Sequence, residues 1–287
     1  MGIHRRICPA TAPHSTPQPL YWVNSMNLNR RIFLALAASS ALLPPADAQV
    51  SDLSDAINKA GRQRMLSQRM AKAYLCMGQQ VQVPAATKAL DQSMALFDRQ
   101  LVELKAYAPA GAVRDNYQQL ESEWSTFKAV LVGSAPSAAN AVKLLAQDSK
   151  VLELSHKGTV QLEQLSGKPL GKLVNIAGRQ RMLSQRMAKY YMAMAWNVDA
   201  AASESELNRA RTEFVTAMEV LRNAPEATPA IKQELSLADG QWVFFEAALS
   251  ARPSAGPKAA NNVFVASENL LQVMDSVTGL YARINRA

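Results

Sequence analysis

The chain has 287 residues, of which 48% are hydrophobic and only 6% aromatic, and its 31 Lys and Arg against 23 Asp and Glu give a net charge of +8. This is the composition of a globular protein with room for two domains, and its basic excess falls well short of a nucleic-acid-binding stripe. Two cysteines and three histidines in the whole chain argue against a disulfide framework, a zinc centre or a histidine-based catalytic triad.

Residues 1–48 read as a leader. Arg30-Arg31 precedes the apolar run Ile32 to Leu43, and Ala46-Asp47-Ala48 is a small-x-small cleavage pattern ahead of Gln49. The run is shorter than the roughly 20 residues a bilayer span requires. Asn29-Arg-Arg-Ile-Phe-Leu34 resembles a twin-arginine export signal, which we prefer to the general secretory route. Residues 1–25, with Pro9, Pro13, Pro17 and Pro19, resemble neither signal nor fold, and Met26 is read as the start. The expectation is a periplasmic protein cleaved near Ala48, with no transmembrane anchor in the mature chain. Cleavage would remove Cys8 and both other histidines, leaving Cys76 and His156 alone of their kinds.

From Gln49 onward, the richness in Ala, Leu, Gln, Met, Lys and Glu predicts helix throughout, punctuated by Pro and Gly. Helices are expected near 51–79, 84–107, 112–132 and 137–165, then near 170–199, 203–223, 228–250 and 257–284. Short connections imply antiparallel neighbours. The expected fold is all-α, two tandem up-down four-helix bundles covering 49–165 and 172–287, with Ser166-Gly-Lys-Pro-Leu-Gly171 (166–171) as linker. Trp124 and Trp242, each followed by a phenylalanine three residues on, are expected at equivalent buried sites. Met65, Met70 and Met77 are expected to fill the core.

The tandem arrangement is written in the sequence itself. Ala60 to Lys72 and Ala177 to Lys189 are identical over thirteen residues, Ala-Gly-Arg-Gln-Arg-Met-Leu-Ser-Gln-Arg-Met-Ala-Lys. The same spacing pairs Asn58 with Asn175, Leu90 with Leu207, Phe97 with Phe214 and Leu104 with Leu221. With small drifts at loops, Trp124 pairs with Trp242 and Asn140-Ala-Val with Asn261-Asn-Val. Apolar packing tolerates substitutions of similar size, so identical polar letters mark these segments as the functional candidates.

At about 100° per residue, Leu53, Ile57, Ala60, Arg64, Gln68, Ala71 and Leu75 share one face of the first helix. Arg181 and Gln185 similarly align with Val174, Ala177, Ala188 and Met192. Arg62, Arg69, Lys59 and Lys72 point elsewhere and read as solvated or rim charges. A guanidinium in an apolar stripe needs an acceptor, yet no Asp or Glu lies between Asp55 and Asp91 or between Glu163 and Asp199. Two solutions stand open: a small planar oxyanion held by the guanidinium fork, with Gly61 and Gly178 allowing close approach, or a salt bridge to another helix, for example through Asp91, Asp98 or Glu121.

The segments Ile57 to Met70 and Val174 to Met187 resemble the signature helix of the PilJ/NarX-type periplasmic sensor domain, found in type IV pilus chemotaxis transducers and nitrate/nitrite sensor kinases. The resemblance implies a four-helix bundle. It also implies that the Arg directly before Met in the Ala-Gly-x-x-Arg-Met core, here Arg64 and Arg181, contacts an anion across a two-fold interface, with Gly61 and Gly178 preceding it. Such modules usually sit between transmembrane helices leading to an output domain, and no such span follows here. The expected function is an exported ligand-binding or sensory protein capturing a small oxyanion, nitrate or nitrite first, through Gly61, Arg64, Gln68, Gly178, Arg181 and Gln185. The alternative is a structural or adaptor bundle docking on a pilus, chemosensory or membrane-sensor partner. No nucleic acid, cofactor or metal is expected, and no enzyme, since no acid–base pair or activated nucleophile is evident.

Overall fold

Eight α-helices and one short 3-10 turn make up residues 49–284, the part of the chain that the structure, a computed structural model, describes. The leader, its twin-arginine motif and the cleavage site lie outside the described residues. The helices are α1 (Leu53–Gly78), α2 (Val83–Tyr107), α3 (Ala112–Gly133), α4 (Ala138–Ser166), α5 (Pro169–Ala195), α6 (Ala200–Arg222), α7 (Pro229–Leu249) and α8 (Pro257–Arg283). Side-chain caps mark several starts. Asp52 accepts from the Asp55 amide, Ser137 from Asn140 and Thr228 from Ile231, each satisfying an amide that lacks a helical partner. Prolines fall in the first turns of α2, α5, α7 and α8, where their missing N–H costs nothing.

The duplication extends to the turns. Among the described residues, Gln80 and Gln82 after α1 and Asn197 and Asp199 after α5 are the non-glycine residues with left-handed φ, and the amides of Val81 and Val198 donate back to Cys76 and Ala193 at 2.9 and 2.8 Å. Each repeat thus spends two unfavourable conformations, on the order of 1 kcal/mol each, to bury the valine between them.

Within each repeat the helices run up and down. Glutamine amides tie the first helix to the second, Gln63 to the Phe97 carbonyl and Gln180 to that of Phe214. The first helix also packs on the last, α1 on α4 and α5 on α8. Four helices return the chain to the end where it began, so the second repeat starts beside the first. Only Gly167 and Lys168 separate α4 from α5, a shorter linker than the six residues expected, because Pro169 and Leu170 already belong to the helix.

The two repeats share one core. α1 and α5 form a parallel pair: Ile57 meets Gly171, Gly61 meets Gly178 and Gly78 meets Trp196 along its length. At the far end the Trp196 ring leaves no room for a side chain, since a Cβ on Gly78 would fall 2.1 Å from it. This pairing corrects the assignment of Lys72 to a solvated face; Lys59 is buried too, but by its own repeat, where it meets the Gln49 carbonyl, Asp55 and Glu103. Lys72 and its counterpart Lys189 are wholly buried, because the face left over by one bundle is the interface with the other. Lys72 donates to Ser267 and Glu268 of the second repeat at 2.9 and 2.7 Å, and Lys189 donates to Asp148 of the first at 2.7 Å.

Two further expectations need correction. Trp124 is buried but Trp242 is partly exposed. Both stack on a phenylalanine, with centroids 4.1 and 4.5 Å apart, but the Trp124 indole donates to Asp98 at 2.7 Å, whereas the position corresponding to Asp98 is Val215. The proposed pairing of Asn140 with Asn261 is also out of register by two residues. The buried positions of α4 and α8 superimpose as Ala141 on Ala260, Leu144 on Val263, Val151 on Leu270 and Thr159 on Thr278.

Candidate functional site

Helix geometry brings both motif arginines to the α1–α5 seam. Gly61 lies against Gly178, and a Cβ on Gly61 would sit 3.2 Å from Arg64 Nη2 and 3.5 Å from Arg181 Nη2. The two guanidinium tips are therefore neighbours, in a space that exists because neither glycine carries a side chain. Both arginines are completely buried, and the Nε of each has no hydrogen-bond partner.

Their partners differ. Arg181 donates from Nη2 to the Asn58 carbonyl at 3.0 Å and from Nη1 to Asp275 at 2.5 Å. Asp275 also holds Arg62 at 2.9 Å. Arg64 donates from Nη2 to the carbonyl and side-chain oxygens of Asn175 at 3.3 and 2.7 Å, and its Nη1 lies 3.2 Å from His156 Nδ1. No ion pair of Arg64 occurs among the described residues, and Glu163 is reached only through Asn175. The salt-bridge alternative thus holds for one arginine and not the other, and its carboxylate is Asp275. Asp98 and Glu121 instead serve Lys128 and Lys105.

The electrostatics follow. Burial, with repulsion from Arg179 and Arg181, pulls the Arg64 guanidinium down to about 9, only partly offset by Glu213 and Glu163. Burial pulls Arg181 down to about 10, opposed by Asp275. Burial raises Asp275, but Arg181 and Arg62 overcome it and hold the carboxyl at about 2. Burial, then Arg64 and Arg179, depress His156 to about 4, so at neutral pH it presents Arg64 with a neutral ring.

The remaining predicted residues lie one turn further along. Gln68 donates to Asp148 at 2.8 and 3.0 Å and Gln185 to the Ser267 carbonyl at 2.9 Å. Both are buried ties to α4 and α8, away from the arginine tips. Ser67 and Ser184 donate to the carbonyls of Arg64 and Arg181 at 3.0 and 2.8 Å. Much of the polar identity between the motifs therefore has an architectural cause, since each of these side chains answers a fixed backbone or carboxylate group. What architecture leaves without a carboxylate is Arg64, beside an Arg181 that Asp275 answers.

His156, Asn175 and Asp275 were not among the residues expected at the site. The signal for them was available: in the register fixed by Thr159 and Thr278, His156 and Asp275 are the same position of the two repeats. Between α4 of the first repeat and α5 of the second, Arg64, Glu153, His156, Arg179, Met182 and Tyr190 line a cleft of about 290 Å³. Among the described residues no group of three His, Cys, Asp or Glu could hold a metal ion, and no helix is long and apolar enough to cross a membrane.

Comparison with known proteins adds one finding. The family model described as PilJ, type IV pili methyl-accepting chemotaxis transducer N-term, matches the chain twice, at residues 48–150 and 166–266. No curated protein and no solved structure matches.

Proposed function

Because the chain belongs to the PilJ family of chemotaxis-transducer N-terminal modules and carries the module in two copies, we propose that it is an exported sensory binding protein. It captures a small oxyanion, nitrate or nitrite first, at the junction of its two repeats. The observation that carries this reading is Arg64: a fully buried guanidinium without a carboxylate, beside a second guanidinium and against two glycines. A bound anion would meet donors from both tips, and charge-assisted hydrogen bonds of this kind contribute about 1.5–3 kcal/mol each. Export is the part of the proposal carried by the leader pattern, and the first match begins at residue 48, where the leader is expected to end.

Thermal unfolding tests it. At about 100 times its dissociation constant a ligand stabilises the fold by roughly 2.7 kcal/mol, so nitrate or nitrite should raise the melting temperature above that in chloride at equal ionic strength. Arg64→Ala should abolish the difference. Equal shifts for all anions, or a specific shift that survives Arg64→Ala, would refute the reading.

The second reading, a bundle that docks on a chemosensory or pilus partner, is favoured by one asymmetry. Leu237, Val243 and Phe244 on α7 are 52%, 64% and 67% exposed, where α3 carries Gln119, Ser125 and Thr126. A photo-crosslinking residue at position 244 should then capture one partner in the source cell and none when Leu237 and Val243 are made polar.

A further inference from the structure

The two repeats place the same helices around the same arginine and then treat it differently. In the second repeat a carboxylate of the protein bridges two cations, Asp275 joining Arg181 Nη1 and Arg62 Nη2 at 2.5 and 2.9 Å. Exchanging the repeats turns Arg181 into Arg64, Arg62 into Arg179 and Asp275 into His156. At that exchanged position the atom facing Arg64 Nη1 is His156 Nδ1, at 3.2 Å, and the bridging negative charge has no counterpart.

Beside Arg64, between the two repeats, there is also space that an added group can fill. The 290 Å³ cleft reaches Arg64, His156 and Arg179, with Leu152, Met182 and Tyr190 among its walls. It approaches the volume of an ordinary small-molecule pocket, roomier than an ion of four atoms needs, and among its largely polar walls Leu152, Met182 and Tyr190 offer apolar surface to a carbon skeleton. Four arginines, Arg64, Arg179, Arg186 and Arg209, line it against one lining carboxylate, Glu153, which forms no ion pair among the described residues; Arg186 and Arg209 share Glu206, and Arg179 pairs through Nε with Glu213 while still lining the cleft.

We propose that this cleft binds a small organic monocarboxylate, whose carboxylate bridges Arg64 and Arg179 as Asp275 bridges Arg181 and Arg62, with its hydrocarbon body against Tyr190 and Met182. The proposal rests on the reading of the repeat junction as an anion site. It moves the anion off the axis between the two motif arginines and names its class. The second repeat, on this view, carries its own carboxylate in place of a ligand, and a chain binds one equivalent.

Calorimetry and thermal unfolding of the full chain with propionate, benzoate and nitrate, at matched ionic strength, test it. Propionate or benzoate should bind one to one. Arg179→Gln should weaken that binding at least about tenfold, the loss of one charge-assisted contact, and His156→Gln should leave it largely intact. His156→Asp should abolish it and raise the melting temperature of the unliganded protein, because the variant supplies the bridging carboxylate from within. Unchanged carboxylate affinity in His156→Asp or in Arg179→Gln overturns the proposal, as does absence of carboxylate binding. A nitrate response that needs Arg64 but persists in both other variants, without carboxylate binding, would sink the cleft and keep the junction reading. Carboxylate binding that needs Arg179, without preference for nitrate over chloride, would keep the cleft and remove nitrate.

Discussion

Arg64→Met and Arg181→Met should separate in stability although the two arginines occupy identical stretches of sequence. Burial and like charges hold Arg64 at about 9 and Arg181 at about 10, both from 12.5. At about 1.4 kcal/mol per pH unit, Arg64 carries on the order of 1 kcal/mol more of uncompensated charging cost, the share that Asp275 removes from Arg181. Methionine fills much of the same volume without charge, so loss of packing and any residual cavity should be similar at the two sites. The exposure of the Asp275 side chain, 45%, screens its pair and caps the difference near this value. For a domain of this size 1 kcal/mol moves the melting temperature by about 2–4 °C. Arg64→Met is therefore expected to melt about 2–4 °C above Arg181→Met, measured by circular dichroism in a buffer poor in small anions. In an Asp275→Asn background the gap should close. Equal melting temperatures of the two single variants, or a gap that survives Asp275→Asn, would show that Asp275 is not what distinguishes the two arginines.

Acid should loosen the fold in two stages. His156, held at about 4 against 6.5, contributes stability that is present above about 6.5 and lost as pH falls through 4. Burial raises Glu268, but Lys72 and Arg69 hold it at about 2 against 4.5, so its contribution is present above about 4.5 and fades toward 2. Melting temperatures across pH should show the first stage vanish in His156→Gln and the second weaken in Glu268→Gln, and a profile unchanged by both would contradict the assignment. Lys189→Met should cost about 3–5 kcal/mol, as removal of one member of a buried pair does, because Asp148 is fully buried. Adding Asp148→Asn should recover part of the loss in denaturant titrations, and additive losses would refute a direct pair. Mass spectrometry of the protein from its source cell should find an N-terminus near Gln49 outside the cytoplasm, and an intact Met1 or Met26 chain in the cytoplasm would refute export.

Composition and punctuation made the eight helices legible, and the repeat made their grouping legible, because helix propensity, proline placement and capping all act within a few residues. Parallel contact of α1 with α5 could be anticipated only through the family resemblance, since no local pattern encodes which outer face meets which. Lys72 shows why: its neighbours on α1 mix Gln68 and Arg69 with Leu75 and Cys76, and the groups that receive its charge lie on α8, 195 residues away. The arginines were found by their position in an apolar stripe. His156 was missed because a single histidine on a helix carries no pattern of its own, and it acquires meaning only when α8 is laid over α4 in the register of their buried residues.

The two-residue connection between α4 and α5 has a consequence for how such a seam behaves in solution. Were the two modules separate chains, their pairing would obey mass action and be lost on dilution; joined through Gly167 and Lys168, they meet at an effective concentration set by the tether. Occupancy of a junction site should then be independent of protein concentration. A pair of identical subunits must also carry every substitution on both faces at once, as two-fold symmetry requires. A fused pair is free of that constraint, and His156 opposite Asp275, like Asp98 opposite Val215, shows the two halves already specialised apart.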